Sequence, residues 1–288
     1  MKLYLLGYIP DAEKIMGAAA HATASRECAY AFMQHISEAE IEKMIGYAKR
    51  MLLSSVLDFP YYVFCFDEVS RSFTHQWVRY RIAAHMQQSL RYVKVDTELK
   101  KEPWFVIPPS IVQKGKEPVV NFIKARLKEA AEYRQYLSAG VPAQDARFAL
   151  PIGTKTHIAT AMDAEALLHA IEQRTCLDAQ WEIRGAAYAL YAMARLVSPR
   201  IFEGAGPSCI RHGICRGRRK EACKADVENK IKRIDELIKK YSNSAEAMID
   251  LTDIVGYRAP RELEKAVAAE LGIEDINLSR EVVLYLKK

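Results

Sequence analysis

Long apolar runs are missing from this 288-residue sequence. No stretch approaches the ~20 consecutive apolar residues of a membrane-spanning helix. The short run Leu3-Tyr4-Leu5-Leu6 after Lys2 is too brief for an export signal and reads as a strand. The expected location is the cytoplasm, with no membrane partner. Charge of one sign is not in large excess either: 42 Lys and Arg stand against 36 Asp and Glu, a net +6. That mild basic balance favours anionic partners without choosing among nucleotide, nucleic acid and membrane surface. Paired C-x2-C ligands are absent, and six cysteines in a cytoplasmic protein read as reduced thiols or metal ligands rather than disulfides. There is no internal repeat and no low-complexity tract.

What is present is core-forming material. Half the residues are hydrophobic, enough for one large domain or two modest ones. Residues 2–8 read as a strand, and Pro10-Asp11-Ala12-Glu13 opens an Ala-rich helix to about His21. Ser37 with Glu40 has capping-box spacing and starts a helix to about Leu53. Tyr61 to Phe66 is the densest aromatic and β-branched run, hence a strand. Helix is expected from Val69 to Ala84, then a short extended piece at Tyr92 and Val93. Pro108-Pro109 is a stop, and a long helix follows from Lys116 to Leu137, ending near Gly140. Lys155 to Met162 reads as strand; Asp163 to Gln173 and Ala179 to Val197 read as helices. Gly204-Ala205-Gly206-Pro207 breaks the chain. A Cys- and Arg-rich patch follows, then helix from Ala225 to Tyr241 and short helical pieces to Lys288.

The stretch richest in chemistry is Gln76-Trp77-Val78-Arg79-Tyr80-Arg81, followed after seven residues by Ser89 and then Arg91-Tyr92. On a helix, Gln76 and Arg79 share a face, and Arg79 and Arg81 lie ~200° apart and serve different neighbours. Ser89 and Arg91 fall where helix gives way to loop. A hydroxyl beside a guanidinium suits a phosphate, pairing a short donor with a bidentate cation. A solvated basic helix face explains the same residues, so the segment alone leaves both readings open.

The segment resembles the signature of flavin-dependent thymidylate synthases, Arg-His-Arg, seven residues, Ser. The resemblance extends to Val69-Ser70-Arg71, His75-Gln76, Arg81-Ile82-Ala83 and Gln87 through Val93. A second block carries Arg147, Leu150-Pro151, Leu167-Leu168-His169, Arg174 and Ala179-Gln180-Trp181-Glu182-Ile183-Arg184. Gly206-Pro207-Ser208-Cys209 and the spaced cysteines after it also resemble family members. The match covers roughly residues 1–223.

The resemblance implies an α+β fold: a mixed sheet with long helices packed around it, assembled as a homotetramer with active sites at subunit interfaces. Residues 1–223 are then the catalytic domain, and 224–288 a helical extension without a recognised counterpart. It implies reductive methylation of dUMP to dTMP, with FAD as cofactor and NADPH and methylenetetrahydrofolate as co-substrates. Gln76, Arg79, Gln87, Gln88, Ser89, Arg91, Arg147 and Arg174 match dUMP-binding positions. Arg91, Arg147 and Ser89 are expected at the phosphate; Arg174 is expected against the uracil, favouring negative charge at N3 and O2. Arg174 and Ser89 are the expected catalytic side chains. Ser55, Arg79, Tyr80, Arg81, Gln87, Asp163, Glu165 and His169 match positions around the flavin.

Departures from the family cluster on the flavin side. Tyr80 stands in place of His, Asp163 in place of Asn and Glu165 in place of Arg; Leu53 and Phe59 replace two histidines, and Asp58 shortens a Glu. Glu for Arg beside a pyrophosphate turns attraction into repulsion. A compensated flavin pocket, with Lys155, His157, Tyr80 or His85 taking part, is one reading. A paralogue acting on UMP or another pyrimidine nucleotide, or a non-catalytic nucleotide-binding protein, is the alternative. Cys209, Cys215 and Cys223 with His212 follow an irregular C-x5-C-x7-C spacing, so no metal is expected there. Arg216-Gly217-Arg218-Arg219-Lys220 lacks interleaved aromatics and reads as a solvated loop, without a nucleic-acid partner.

Overall fold

The structure, a computed structural model, describes residues 1–51, 53–218 and 222–288. Arg219 and Lys220 of the basic loop, and Leu52, lie outside the described residues. The chain begins with strand β1 (Lys2–Tyr8), helices α1 (Ala12–Ala22), α2 (Ala29–Met33) and α3 (Glu38–Arg50), and a 3-10 turn over Ser54–Asp58. Strand β2 (Tyr61–Ser70) runs into helix α4 (Arg71–Trp77) and strand β3 (Ala84–Gln87). Helices α5 (Pro109–Val112), α6 (Lys116–Ser138) and α7 (Ala143–Ala146) precede strand β4 (Lys155–Asp163). Next come helices α8 (Ala164–Arg174), α9 (Trp181–Val197), α10 (Ser208–Arg211) and α11 (Lys224–Lys239). Strand β5 (Glu246–Asp250), helices α12 (Thr252–Val255) and α13 (Arg261–Leu271) and strand β6 (Val283–Lys287) follow.

The six strands form one mixed sheet in the order β3-β4-β2-β1-β6-β5. Only the β1–β6 pair is parallel. Register sorts side chains into rows across it. Ile158, Phe66, Leu3, Leu284 and Ile249 form one row, and all are fully buried. The next row, Met86, Ala159, Cys65, Tyr4, Tyr285 and Met248, points the other way, and Met86 and Met248 are 79% and 64% exposed. The two-residue period of a strand thus gives the sheet one covered face and one uncovered face.

Helix α9 fills the covered face. It is apolar nearly all round, as a central helix must be, and packs on β1, β6, α4, α8 and α11. A second cluster joins Trp104, Phe105, Val119 and Ile123 to Val267, Ile276 and Leu278. Helix α3 starts with the expected capping box: the Ser37 hydroxyl accepts from the Glu40 amide while the Glu40 carboxylate accepts from the Ser37 amide.

Three expectations need correction. The helix expected over Val69–Ala84 ends at Trp77, and Ala84–Gln87 is a strand instead. The reason is tertiary: β4 offers Ile158–Ala161 as a hydrogen-bonding edge, and pairing there outweighs the helix preference of Ala, Met and Gln. Tyr92 and Val93 turn back on Ser89, whose carbonyl accepts both amides, rather than extending. The segment 224–288 is not helical throughout. Strands β5 and β6 join the sheet beside β1, and Ile249, Leu284 and Leu286 enter the main core.

Candidate nucleotide and cofactor site

Two groups of polar side chains are built at the β3–β4 end of the sheet. The first starts from helix α4. Ser70 caps it, accepting from the Phe73 amide, and Arg71 opens it with its own amide bound to the Thr154 carbonyl. The Arg71 guanidinium donates to the Gln88 carbonyl at 3.1 Å. Burial, then the like charge of Arg147 beside it, makes the Arg71 guanidinium less basic than usual. Gln88 is pinned by the His157 carbonyl and the Thr156 hydroxyl, and Gln87 donates to Thr74 at 2.8 Å. The Ser89 hydroxyl accepts from the Arg91 amide at 3.2 Å, while the Arg91 guanidinium lies over Tyr92. Arg71 therefore stands at the Gln88-Ser89 turn within the field of Arg147, whose own Nε donates to the Gln144 carbonyl at 3.0 Å.

Arg71 was not among the residues expected at the site. Its signal was present in the sequence as a second Arg preceding the motif, but only the turn at Pro151 and strand β4 bring it to Arg147. Its Ala variant is expected to weaken nucleotide monophosphate binding about 10- to 100-fold, the usual range for one lost hydrogen bond to a charged group. Isothermal titration checks this, and an unchanged Kd would remove Arg71 from the phosphate.

The second group surrounds the end of α8. The Tyr80 hydroxyl accepts from Arg174 Nε at 2.9 Å and donates to Gln173 Oε1 at 3.1 Å. Its ring packs on Trp77 and meets His169 edge-on. Burial pushes the Tyr80 phenol up, and the Arg174 charge partly offsets that. His85 bridges the Thr160 hydroxyl and the Tyr80 carbonyl at 3.0 Å each, and Trp77 Nε1 donates to the same Thr160. Arg174 and His169 line a cavity of about 410 Å³.

The remaining expected residues divide. Arg79 and Arg81 lie on the turn after α4, both exposed, and no carboxylate among the described residues pairs with either. Gln76 and Arg79, expected on one helix face, do not share one, because α4 ends at Trp77. Gln76 donates to the Ser72 carbonyl. Asp163 is buried, and its carboxylate caps α8 by accepting from the Ala166 amide at 2.7 Å, so its position is set by the helix. Ser55 is exposed on the 3-10 turn. Glu165 lines a separate cavity of about 430 Å³ with Lys49, Ser54, Leu57, Arg211 and His212. Two cations therefore share that cavity with the carboxylate expected to repel a pyrophosphate. Lys155 lies elsewhere, in a crevice with Met1, Glu68, Glu102 and Arg280.

The chain matches the family described as Thymidylate synthase complementing protein (Thy1) over residues 4–200. It is 37% identical to the flavin-dependent thymidylate synthase of Saccharolobus solfataricus, over 72% of this chain and 78% of that protein. With the enzyme of the same description from Sulfolobus acidocaldarius it shares 38% identity, over 74% of this chain and 79% of that one. It belongs to the flavin-dependent thymidylate synthase family. Among solved structures, the UMP/dUMP methylase PolB of Streptomyces cacaoi has the same fold, with a TM-score of 0.60 at 18% identity, covering 70% of this chain and 92% of that one.

Membership accounts for the block Ala179 to Arg184 only indirectly, because here its side chains are structural. Gln180 caps α9 by accepting from the Glu182 and Ile183 amides. Arg184 donates to the carbonyls of Leu177 and Ala179. Glu182 is 3% exposed and accepts from the Ser70 amide at 3.0 Å, the Ser70 hydroxyl at 2.5 Å and Arg280 at 2.7 Å. These contacts hold the start of α4, and through it Arg71, against α9.

Proposed function

We propose that this protein converts dUMP to dTMP, using methylenetetrahydrofolate as carbon donor and NADPH as reductant through bound FAD. The observation that carries the reading is the Arg71–Arg147 pair set against the Gln88-Ser89 turn. Arg71 reaches the Gln88 carbonyl there, within the field of Arg147, and no carboxylate among the described residues pairs with either guanidinium. A nucleotide phosphate supplies the missing charge. Ser89, Arg91 and Arg147 are assigned to that phosphate, with Arg71 added; Gln76, Arg79, Gln87 and Gln88 frame the nucleoside. Arg174, held by Tyr80, is assigned to the uracil edge. C5 of uracil is a weak nucleophile until the ring gains electron density, and a fixed cation at N3 and O2 favours that density.

The exposed, unpaired Arg79 and Arg81 suit a phosphate-bearing cofactor, and Lys49 and Arg211 offset Glu165 in the neighbouring cavity. His169 and Tyr80 offer flat surfaces beside them, and Gln87 and Ser55 offer polar atoms. Flavin, when bound, supplies hydride. We also propose a homotetramer, with the uncovered face of the sheet as a subunit contact. Exposed apolar side chains on that face include Met86, Tyr61, Val63 and Met248. Exposed apolar side chains spread over one sheet face suit a partner surface.

Purified protein is expected to be yellow, to bleach with NADPH, and to release tritium from C5-labelled dUMP when folate is present. Colourless protein that gains no flavin on incubation counts against the assignment. PolB acts on UMP as well as dUMP by its description. Protection against thermal unfolding by each nucleotide separates a dUMP enzyme from one acting on UMP.

A further inference from the structure

Four of the six cysteines, Cys176, Cys209, Cys215 and Cys223, line the same cavity of about 410 Å³. They come from four places: the α8–α9 loop, helix α10, the loop after it and the residue that opens α11. Gly217 lies between two of the sulfurs. A Cβ placed there would be 3.4 Å from Cys176 Sγ, while Cys215 Sγ lies 3.9 Å from the Gly217 carbonyl oxygen. Burial, then the fields of Cys215, Cys223 and Cys176, pushes the Cys209 thiol up. None of the six is in a disulfide. The segment carrying three of them is anchored independently. Glu172, 9% exposed, accepts from Ser208 at 2.5 Å and Arg211 at 3.0 Å, fixing α10 onto α8.

We propose that Cys176, Cys209, Cys215 and Cys223 hold one zinc ion. Four sulfurs on one small cavity, converging from separate elements, match the tetrahedral thiolate set that selects zinc over oxygen-preferring cations. Among the described residues no three His, Cys, Asp or Glu side chains are already grouped to hold a metal ion, so the proposed binding requires the four thiols that line the cavity to close on the cation. Binding releases four thiol protons and leaves the site with two negative charges. Arg216, which lines the same cavity, is placed to offset part of that charge. The spacing of Cys209, Cys215 and Cys223 carries only three ligands. The fold supplies Cys176 as the fourth, two residues beyond Arg174, so the metal fixes the end of α8 on which that guanidinium sits. The proposal does not depend on the nucleotide reading.

Elemental analysis of the full chain, purified without chelator, is expected to give about one zinc per chain. Mercurial titration should release it to a colorimetric indicator. Cobalt replacement should give the sulfur-to-cobalt charge-transfer and intense visible bands of a tetrahedral thiolate site, read as a difference from the apo spectrum. Cys209→Ser and Cys223→Ser should lose the metal, and Cys65→Ser, on β2, should keep it. If the cluster variants fail to fold, stoichiometry and cobalt spectrum of the unaltered chain still decide. Metal-free protein whose four thiols all react with a disulfide reagent, with no cobalt bands, overturns the proposal. So does brown protein carrying iron and sulfide.

Discussion

Replacing Arg174 with Ala is expected to lower kcat by roughly two to three orders of magnitude, with a smaller change in dUMP affinity. The asymmetry follows from where the charge develops. Neutral uracil gains little from a nearby guanidinium, whereas the ring carrying density at N3 and O2 gains much, so the loss falls on turnover. Tyr80 makes the prediction graded. Its hydroxyl accepts from Arg174 Nε and is held in turn by Gln173. Tyr80→Phe keeps the ring contacts with Trp77 and His169 and removes only the acceptor, for an expected loss of about tenfold in kcat. Steady-state kinetics with direct measurement of dUMP Kd tests both. If either variant weakens dUMP binding as much as turnover, Arg174 is a ground-state anchor and the assignment to the developing charge is wrong.

The second large effect concerns stability. Glu182→Ala should cost about 3–5 kcal/mol, since it leaves Arg280 as an uncompensated buried charge and frees the Ser70 amide and hydroxyl. A fall in Tm of roughly 10 °C is the expected readout. Arg280→Met alone should cost a similar amount, by stranding the carboxylate. The double variant Glu182→Met with Arg280→Met should lose much less than the sum, because replacing both charges removes the desolvation penalty with the attraction. Additive losses would mean the pair does not interact in the folded state.

Legibility in the sequence followed range. Local features were readable: the Ser37–Glu40 box, the Tyr61–Phe66 alternation, the Ala-rich α9 and the stop at Gly140 each depend on residues a few positions apart. The motif was legible as a family resemblance, yet the field of Arg147 on Arg71 was not, since it depends on how the chain returns past α4. The end of α4 was hidden because Ala, Met and Gln carry no strand signal, and only the edge of β4 makes Ala84–Gln87 extended. The tail misled for a similar reason. Val283-Leu284-Tyr285-Leu286 suits a strand, but its partner Lys2–Tyr4 lies at the far end of the sequence. Asp163 stands at a flavin position by resemblance, and the structure gives its carboxylate the role of a helix cap, which the sequence did not announce. The fourth cysteine of the cavity went unnoticed because Cys176 precedes the other three by a whole helix, α9.

The parallel pairing of β6 with β1 has a consequence for biogenesis. A ribosome that has finished β4 has made four adjacent strands, β3-β4-β2-β1, but β1 still shows an open rim, and Ile249, Leu284 and Leu286 have not yet been translated. At roughly 5–20 residues per second, that rim stays open for on the order of tens of seconds in each nascent chain. Throughout that interval it is a template for intermolecular strand pairing, so yield in a cell should respond to chaperone supply more steeply than the stability of the finished molecule suggests.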